Sequence, residues 1–241
     1  MNDATKIGER TVTICGTPLE GLMHTCAFVD SRDEQYKILA PFLIEGLACN
    51  DCLLTVTSPQ NQASNLQRLR EAGMDVDQLV SNAQLLAPTF EHSYLQDGCF
   101  SARRMLAMLE SLLEGTRTAG FGALRGFGEM DWALSGLPGT EELMEYEAGV
   151  NYLAAKFNDP LVCVYDVNKF SGQTLMDVLC THPKVILSGR IHENPYYLPP
   201  DKFMASLAAR NKIREQARHA TESIRLDAAF GIAKSRILAK S

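Results

Sequence analysis

HTCAFVDSRDEQYKILAPFLIEGLACNDC, residues 24–52, is the stretch of sequence that decides the fold. Residues 25–29 form a short apolar run, residues 30–33 are polar, and the apolar side chains between Tyr36 and Leu47 recur at helical spacing. This order of strand, loop and helix is the order found in the first crossover of a nucleotide-binding protein. The stretch therefore predicts a fold of that kind.

The loop after the predicted strand lacks the elements that hold phosphate. A phosphate-binding loop needs glycines, so that backbone N–H groups approach the phosphates, and a Lys-Ser/Thr pair at its end. Here the loop and the start of the helix carry Asp30, Asp33 and Glu34, whose carboxylates would repel a triphosphate. We therefore expect a ligand binder that does not hydrolyse nucleotides.

The rest of the chain alternates between short apolar runs and amphipathic segments. Pro41 lies within the first helical pattern and should kink or split that helix. The alternation indicates an α/β fold, in which helices cover both sides of a mainly parallel sheet. The further strands are predicted at residues 52–57, 84–87, 123–127, 161–165 and 184–187.

Composition points to a globular protein of the cytoplasm. The 241 residues are 46% hydrophobic and 22% charged, which is ordinary for a globular chain. No apolar run approaches the roughly 20 residues that a membrane span needs, and residues 1–10 lack the apolar core of a signal peptide. The seven cysteines are scattered and odd in number, so we expect reduced thiols rather than a disulfide framework.

The charge of the chain is divided unevenly between its body and its tail. Residues 201–241 carry nine basic and four acidic side chains, which leaves a net charge of −11 on residues 1–200. The tail has no strand signal. A narrow seam with some polar members follows a three-four alternation, which suits a helix that pairs with its own copy. The seam consists of Phe203, Leu207, Arg210, Arg214, Ala217, Thr221, Ile224 and Ala228. We expect an N-terminal segment at 1–19, a main domain at 20–200 and a dimerising or signal-transmitting helix at 201–241.

Two cysteine patterns suggest metal or redox chemistry. His24 and Cys26, two residues apart on a strand, face the same side and are both potential ligands of zinc, iron or copper. The alternative is that Cys26 is a core residue and His24 a hydrogen-bonded one. Cys49 and Cys52 form a C-x-x-C at the end of a helix, whereas a redox motif needs its first thiol at a helix N-terminus. We interpret this second pattern as coincidental.

Other chemically interesting side chains also have plain structural interpretations. Glu147 follows Tyr146 at a position that faces either the interior or the solvent. Trp132 is either a ligand contact or a buried anchor of its glycine-rich loop, and His182 before Pro183 is most simply a turn residue. No serine-histidine-aspartate set or metalloprotease motif has credible spacing, which argues against a hydrolase.

Several of these motifs, taken together and in order, resemble the MEDS domain, named from methanogen, methylotroph and dichloromethane-regulator proteins. The resemblance covers about residues 20–200. It rests on HTC at 24–26, PFLIEGL at 41–47, YE at 146–147, YD at 165–166 with Phe170, THP at 181–183, and ENPYY at 193–197 with Pro199 and Pro200.

The resemblance implies a three-layer, RecA/KaiC-like fold without the phosphate loop, and a non-enzymatic sensory role in prokaryotic signal transduction. The implied ligand is a small hydrocarbon derivative or one-carbon compound, with no required cofactor. The implied partner is a histidine kinase, an anti-sigma factor or a transcription regulator. The residues that match the family's motifs, or that we expect to line the ligand site, are His24, Cys26, Glu34, Trp132, Glu147, Asp166, Phe170, His182, Asn194 and Tyr196.

Two other functions stay open from the sequence. One is a metal-dependent enzyme or a metal or redox sensor that uses His24, Cys26 and Glu147 on a degenerate nucleotide-binding fold. The other, which we consider less favoured, is nucleic-acid binding through the basic tail. We expect the ligand at the carboxyl ends of the strands, where loops converge in open parallel sheets.

Overall fold

A seven-stranded sheet organises the fold in a computed structural model that describes residues 11–238. The strand order is β5-β4-β6-β7-β3-β8-β9, and every neighbouring pair is parallel except the last. These strands are β3 (His24–Val29), β4 (Cys52–Val56), β5 (Leu85–Leu86), β6 (Leu124–Glu129), β7 (Leu161–Asp166), β8 (Lys184–Leu187) and β9 (Arg190–Glu193). A two-stranded hairpin precedes them, made of β1 (Thr13–Ile14) and β2 (Thr17–Pro18).

Helices lie between the parallel strands, and one long helix follows the last strand. They are α1 (Arg32–Ala48), α2 (Pro59–Glu71), α3 (Val76–Ser81), α4 (Ala102–Thr118), α5 (Leu143–Phe157), α6 (Gly172–Thr181) and α7 (Pro200–Leu238). Serine side chains accept backbone N–H groups at the starts of α1, α2, α4 and α6, which is the usual way to satisfy the first free donors of a helix.

Each face of the sheet packs against its own set of helices. Alternate residues of β3, Ala27 and Val29, share a hydrophobic cluster with Leu39 and Leu43 of α1. The intervening residues point to the other face, where His24 contacts Asn151 of α5. The predicted class, an α/β sandwich of three layers with a mainly parallel sheet and a long C-terminal helix, is confirmed.

The structure adds three details to the sequence expectations. Helix α1, expected to kink or split at Pro41, continues through that residue without being split. The edge strand β9 was not anticipated, because its alternation of charged and apolar residues is only four residues long. Within the N-terminal segment expected at 1–19, Val12 and Ile14 belong to the hydrophobic cluster under α1.

A buried ion pair ties the amino ends of two central strands together. Arg125 on β6 is fully buried, and its Nε donates to Asp51 Oδ2 at 2.8 Å. Its Nη1 also donates to the carbonyl of Phe42 at 2.9 Å and to Glu45 at 3.2 Å. Asp51 lies inside the C-x-x-C motif, so this stretch has a structural role that does not require its thiols to react.

The chain divides into two compact units after Pro200. The second unit consists of helix α7, which matches the single helix expected for the tail. Within the described residues, no helix is both long enough and apolar enough to cross a membrane.

We predict that Arg125→Ala lowers the free energy of unfolding by about 3–5 kcal/mol, because it removes the buried guanidinium that pairs with the buried Asp51 carboxylate. Urea denaturation measures this change. The control is Arg70→Ala, which removes the exposed ion pair with Asp77 and should cost no more than about 1 kcal/mol. Equal effects of the two substitutions would contradict the prediction.

Candidate functional site

The N-terminus of α1 is closed by its own side chains. Glu34 Oε2 accepts the backbone N–H of Asp30 at 2.9 Å, and Ser31 Oγ accepts the backbone N–H of Glu34 at 3.3 Å. These N–H groups belong to the loop that would hold phosphate in a nucleotide-binding relative of this fold. A carboxylate of the chain itself, that of Glu34, therefore accepts a backbone N–H of this loop in the way that a phosphate oxygen would.

A second carboxylate fills the adjoining space at the carboxyl edge of the sheet. Glu129, the last residue of β6, is buried and accepts hydrogen bonds from Gln35 Nε2 at 3.1 Å and from Asn61 Nδ2 at 2.9 Å. Its carboxylate also lies 3.9 Å from Arg32. Beside it lies a polar cavity of about 100 Å³ whose wall contains three acidic and two basic side chains. The basic side chains lie within ion-pair distance of the carboxylates, so a phosphate would have to compete with carboxylates for them.

A group of metal-binding side chain types lies elsewhere, under α5 and α6. His24 begins β3, Glu147 lies within α5, Cys163 lies on β7, and His182 follows α6. All four are buried, and one ligand atom from each lies within 4.8 Å of the others. We call these four residues the buried cluster.

Glu147 lies at the centre of the buried cluster. Its Oε2 is 3.3 Å from His24 Nε2, 3.4 Å from His182 Nε2 and 3.4 Å from Cys163 Sγ. His24 Nε2 is also 3.4 Å from Cys163 Sγ. Four chain segments thus direct polar atoms to one point.

The second nitrogen of each histidine is held by a hydrogen-bond acceptor. His182 Nδ1 lies 2.8 Å from the carbonyl oxygen of Val178, so this nitrogen must carry the proton. His24 Nδ1 lies 3.3 Å from Asn151 Oδ1, and the Asn151 amide is oriented by its Nδ2, which donates to the carbonyls of Glu147 and Thr181. Both rings therefore present Nε2 towards Glu147.

The environment keeps these groups in defined charge states. Burial and the neighbouring His182 lower the pKa of His24, so its ring is neutral at pH 7. Burial alone would raise the pKa of the Glu147 carboxyl, but its contacts with His182 and His24 lower it, so the carboxylate is charged. Burial and the Glu147 charge raise the pKa of the Cys163 thiol well above its usual range.

The other carboxylate oxygen of Glu147 has its own donor. The hydroxyl of Tyr165, two residues after Cys163 on β7, donates to Glu147 Oε1. This bond fixes the plane of the carboxylate and leaves Oε2 directed at the histidines and the cysteine. Outer hydrogen bonds of this kind commonly orient the ligands of a metal ion.

A small apolar cavity adjoins the buried cluster. It has a volume of about 40 Å³ between the sheet and helices α4 and α5, and Cys163 forms part of its wall. Tyr94 and Tyr146 line it as well. Gly128 permits this arrangement, because a Cβ at that position would lie 2.3 Å from the Tyr94 hydroxyl.

The structure brings together three of the residues singled out from the sequence, namely His24, Glu147 and His182. It separates them from Glu34 and Asp166 at the carboxyl edge. His24 pairs with Leu161 at the first position of β7, whereas Asp166 is the last residue of that strand. Five residues of parallel strand span roughly 16 Å, so the two sets lie at opposite ends of the sheet.

Two aromatic residues from the list are buried in packing roles. Trp132 stacks between Tyr94 and Phe100, with ring centroids 4.9 Å and 4.1 Å away. Phe170 packs edge-on against Tyr165 at 5.0 Å. Trp132 therefore packs against Tyr94, a residue of the cavity wall, and it is a buried anchor of its loop. Phe170 packs against Tyr165, the residue that donates to Glu147.

The remaining residues from the list lie at the margin of the buried cluster. Cys26 Sγ lies 3.7 Å from the carbonyl oxygen of Lys184, and the group of four possible ligands does not include it. Asn194 Nδ2 donates to the carbonyl of His182 at 2.7 Å, and its Oδ1 accepts the backbone N–H of Tyr196. Tyr196 itself is 59% exposed.

Two contributors, Cys163 and Asn151, were missed by reasoning from the sequence. Tyr165 was quoted as part of the YD motif at 165–166 but was not included among the expected site residues. Cys163 lies in the continuous apolar run 161–165, which indicates only a strand covered on both faces. Its relation to His24 depends on β7 being the neighbour of β3, and strands so distant in sequence give no signal of their adjacency.

Comparison with known proteins agrees with this architecture. The model of the MEDS family, described as the "MEthanogen/methylotroph, DcmR Sensory domain", matches residues 23–183. The chain is also 33% identical over 161 residues to the transcriptional repressor DcmR of Methylorubrum extorquens. That alignment covers 66% of this chain and 57% of the relative, so the chain spans little more than half of the relative's length.

We predict that Tyr165→Phe lowers the free energy of unfolding by about 1.5–3 kcal/mol, because it removes a hydrogen bond to a buried charged group. Urea denaturation at pH 7 measures the effect. Tyr196→Phe removes an exposed hydroxyl and should change stability by no more than about 0.5 kcal/mol. If Tyr165→Phe were as neutral as this control, the hydroxyl would not be supporting Glu147.

Proposed function

Because this chain belongs to the MEDS family of sensory domains, we propose that it senses a small organic molecule, a hydrocarbon derivative or a one-carbon compound. A regulatory sensory role agrees with the family match and with the similarity to a transcriptional repressor. The ligand class rests on one observation: an apolar cavity lies beside a buried group of reactive side chains, while carboxylates occupy the phosphate position of the fold.

The size of the cavity supports a very small ligand. One water molecule needs roughly 10–15 Å³ of such volume, so about 40 Å³ admits about three non-hydrogen atoms. Dihalomethanes and short alcohols have this size. The wall is apolar apart from the Tyr94 and Tyr146 hydroxyls and the Cys163 thiol, which favours a ligand of low polarity.

A larger apolar groove offers a second position for the ligand. It has a volume of about 460 Å³ alongside the edge strand β5, and Met108 and Leu112 of α4 line it. A groove of this volume suits a larger ligand than a one-carbon compound. We favour the smaller cavity because it touches Cys163.

The proposed output is a change in the arrangement of helix α7. A ligand shifts an equilibrium between two states by as much as it binds them differently. We propose that residues 201–241 form a dimer and that the shift changes how this dimer interacts with a partner protein in the cytoplasm. The partner would be a histidine kinase, an anti-sigma factor or a transcription regulator. Catalysis, direct nucleic-acid binding and membrane attachment are not part of this proposal.

We predict that dichloromethane, methanol or a short haloalkane raises the thermal stability of the protein. At 100 times the dissociation constant the gain is about 2.7 kcal/mol. Val150→Phe, which fills the small cavity, should abolish the gain, whereas Leu112→Phe, which places the same side chain in the groove beside β5, should preserve it. Differential scanning calorimetry in sealed cells measures the shift.

The opposite pattern, loss with Leu112→Phe and retention with Val150→Phe, would move the ligand site to the groove. Mg-ATP serves as a further probe and should produce no stabilisation, because Glu34 and Glu129 occupy the phosphate position. Stabilisation by Mg-ATP without any response to the organic compounds would contradict the proposed function.

We also predict that the protein is a dimer and that Leu207→Asp, on the apolar seam of α7, weakens it. A charge buried in a paired-helix seam is unfavourable. Ser206→Asp adds the same charge beside the seam at an exposed position and should leave the dimer intact. Sedimentation equilibrium measures both, and a monomeric wild-type protein would contradict this part of the proposal.

A further inference from the structure

Three potential metal-ligand atoms converge on one point inside the buried cluster, namely His24 Nε2, His182 Nε2 and Glu147 Oε2. Among the described residues, no hydrogen-bond partner lies at His182 Nε2, although the atom is fully buried. A buried polar atom without a hydrogen bond is costly. A metal cation between the three groups would compensate this nitrogen and the Glu147 carboxylate together.

No lysine or arginine lies within ion-pair distance of Glu147 in the described part of the chain. The nearest basic side chains there are the two histidines, whose Nε2 atoms lie 3.3 and 3.4 Å from Glu147 Oε2. The neighbouring lysine, Lys184, pairs with Glu193. A metal cation satisfies both imidazoles and the carboxylate at once.

Four of the six distances within the buried cluster agree with a tetrahedral zinc site. Zinc bonds of about 2.0–2.3 Å at tetrahedral angles place neighbouring ligand atoms about 3.3–3.6 Å apart. Glu147 Oε2 lies 3.3 Å from His24 Nε2 and 3.4 Å from both His182 Nε2 and Cys163 Sγ, and His24 Nε2 lies 3.4 Å from Cys163 Sγ. The two remaining distances, from His182 Nε2 to His24 and to Cys163, are within 4.8 Å, so a small shift of His182 would complete the tetrahedron.

We propose that His24, Glu147, Cys163 and His182 together bind one zinc ion. Two imidazoles, one thiolate and one carboxylate are a donor set that zinc accepts. Asn151 and the carbonyl of Val178 hold the rings with Nε2 inward, and Tyr165 holds the carboxylate. On binding, the Cys163 thiol releases its proton to solvent and the sulfur forms the bond to zinc.

The site is of the closed type. Four protein ligands complete a tetrahedron, whereas catalytic zinc sites keep one position open for water or substrate. All four side chains are also buried, with Cys163 the most exposed at 6%. The zinc therefore fixes α5 and α6 to the sheet. Such a site does not favour the alternative of a metal-dependent enzyme, which would need an open position on the metal.

The zinc site does not depend on the proposed organic ligand, although Cys163 belongs both to the site and to the cavity wall. The test therefore uses zinc and cobalt alone, so its result is separate from that of the organic compounds. If zinc binds and no organic compound does, the proposed function fails while the metal site stands.

The experiment begins with the full chain purified without chelators. Elemental analysis should give one zinc per chain. After removal of zinc, Co²⁺ should produce a thiolate-to-cobalt charge-transfer band together with the absorption of a tetrahedral ion. In Cys163→Ser the charge-transfer band should disappear, and the zinc affinity, measured by competition with a chromophoric chelator, should fall by at least about 10-fold.

The matched control is Cys26→Ser, which changes a buried cysteine of the adjacent strand that lies outside the cluster. It should keep both the charge-transfer band and the zinc affinity. Circular dichroism shows whether each variant is folded. A further measurement needs no substitution: addition of zinc to the metal-free wild type should raise its melting temperature.

Two results would overturn the proposal. One is a folded wild type that neither contains nor binds zinc or cobalt. The other is loss of the charge-transfer band in Cys26→Ser but not in Cys163→Ser.

Discussion

The buried carboxylate of Glu147 is the constraint on which the rest of the site depends. A charge taken out of water costs several kcal/mol unless other groups compensate it. Here the compensating groups come from β3, β7 and the end of α6, so these segments must lie in one arrangement around α5. The Glu147 contacts thereby hold the sheet against the helical layer that contains α5 and α6.

The two faces of the sheet have correspondingly different chemistry. The face under α1 is a continuous hydrophobic cluster. The face under α5 and α6 carries the buried cluster and the small cavity, and the phosphate position at the carboxyl edge is filled by Glu34 and Glu129. A fold of the nucleotide-binding kind thus keeps its strand order and helices, while its reactive groups lie far from the place where a nucleotide would bind.

Sequence patterns were sufficient for the fold because helices and parallel strands have distinct periodicities. They also identified His24, Glu147 and His182 as individual residues of interest. They did not place them together, and they directed attention to the carboxyl edge, because the grouping depends on β7 lying beside β3. Cys163 gave no signal at all, since a cysteine within an apolar strand looks like any core residue.

The central physical claim is that two imidazoles, each with its Nδ1 held by a hydrogen-bond acceptor, direct their Nε2 atoms at one carboxylate oxygen. Nitrogen-15 NMR of the histidine rings in the purified full chain tests it most directly, because protonated and unprotonated ring nitrogens have different chemical shifts. The account predicts that His24 and His182 both carry their proton on Nδ1. Protons on Nε2 of both rings, with bare Nδ1 atoms, would contradict it.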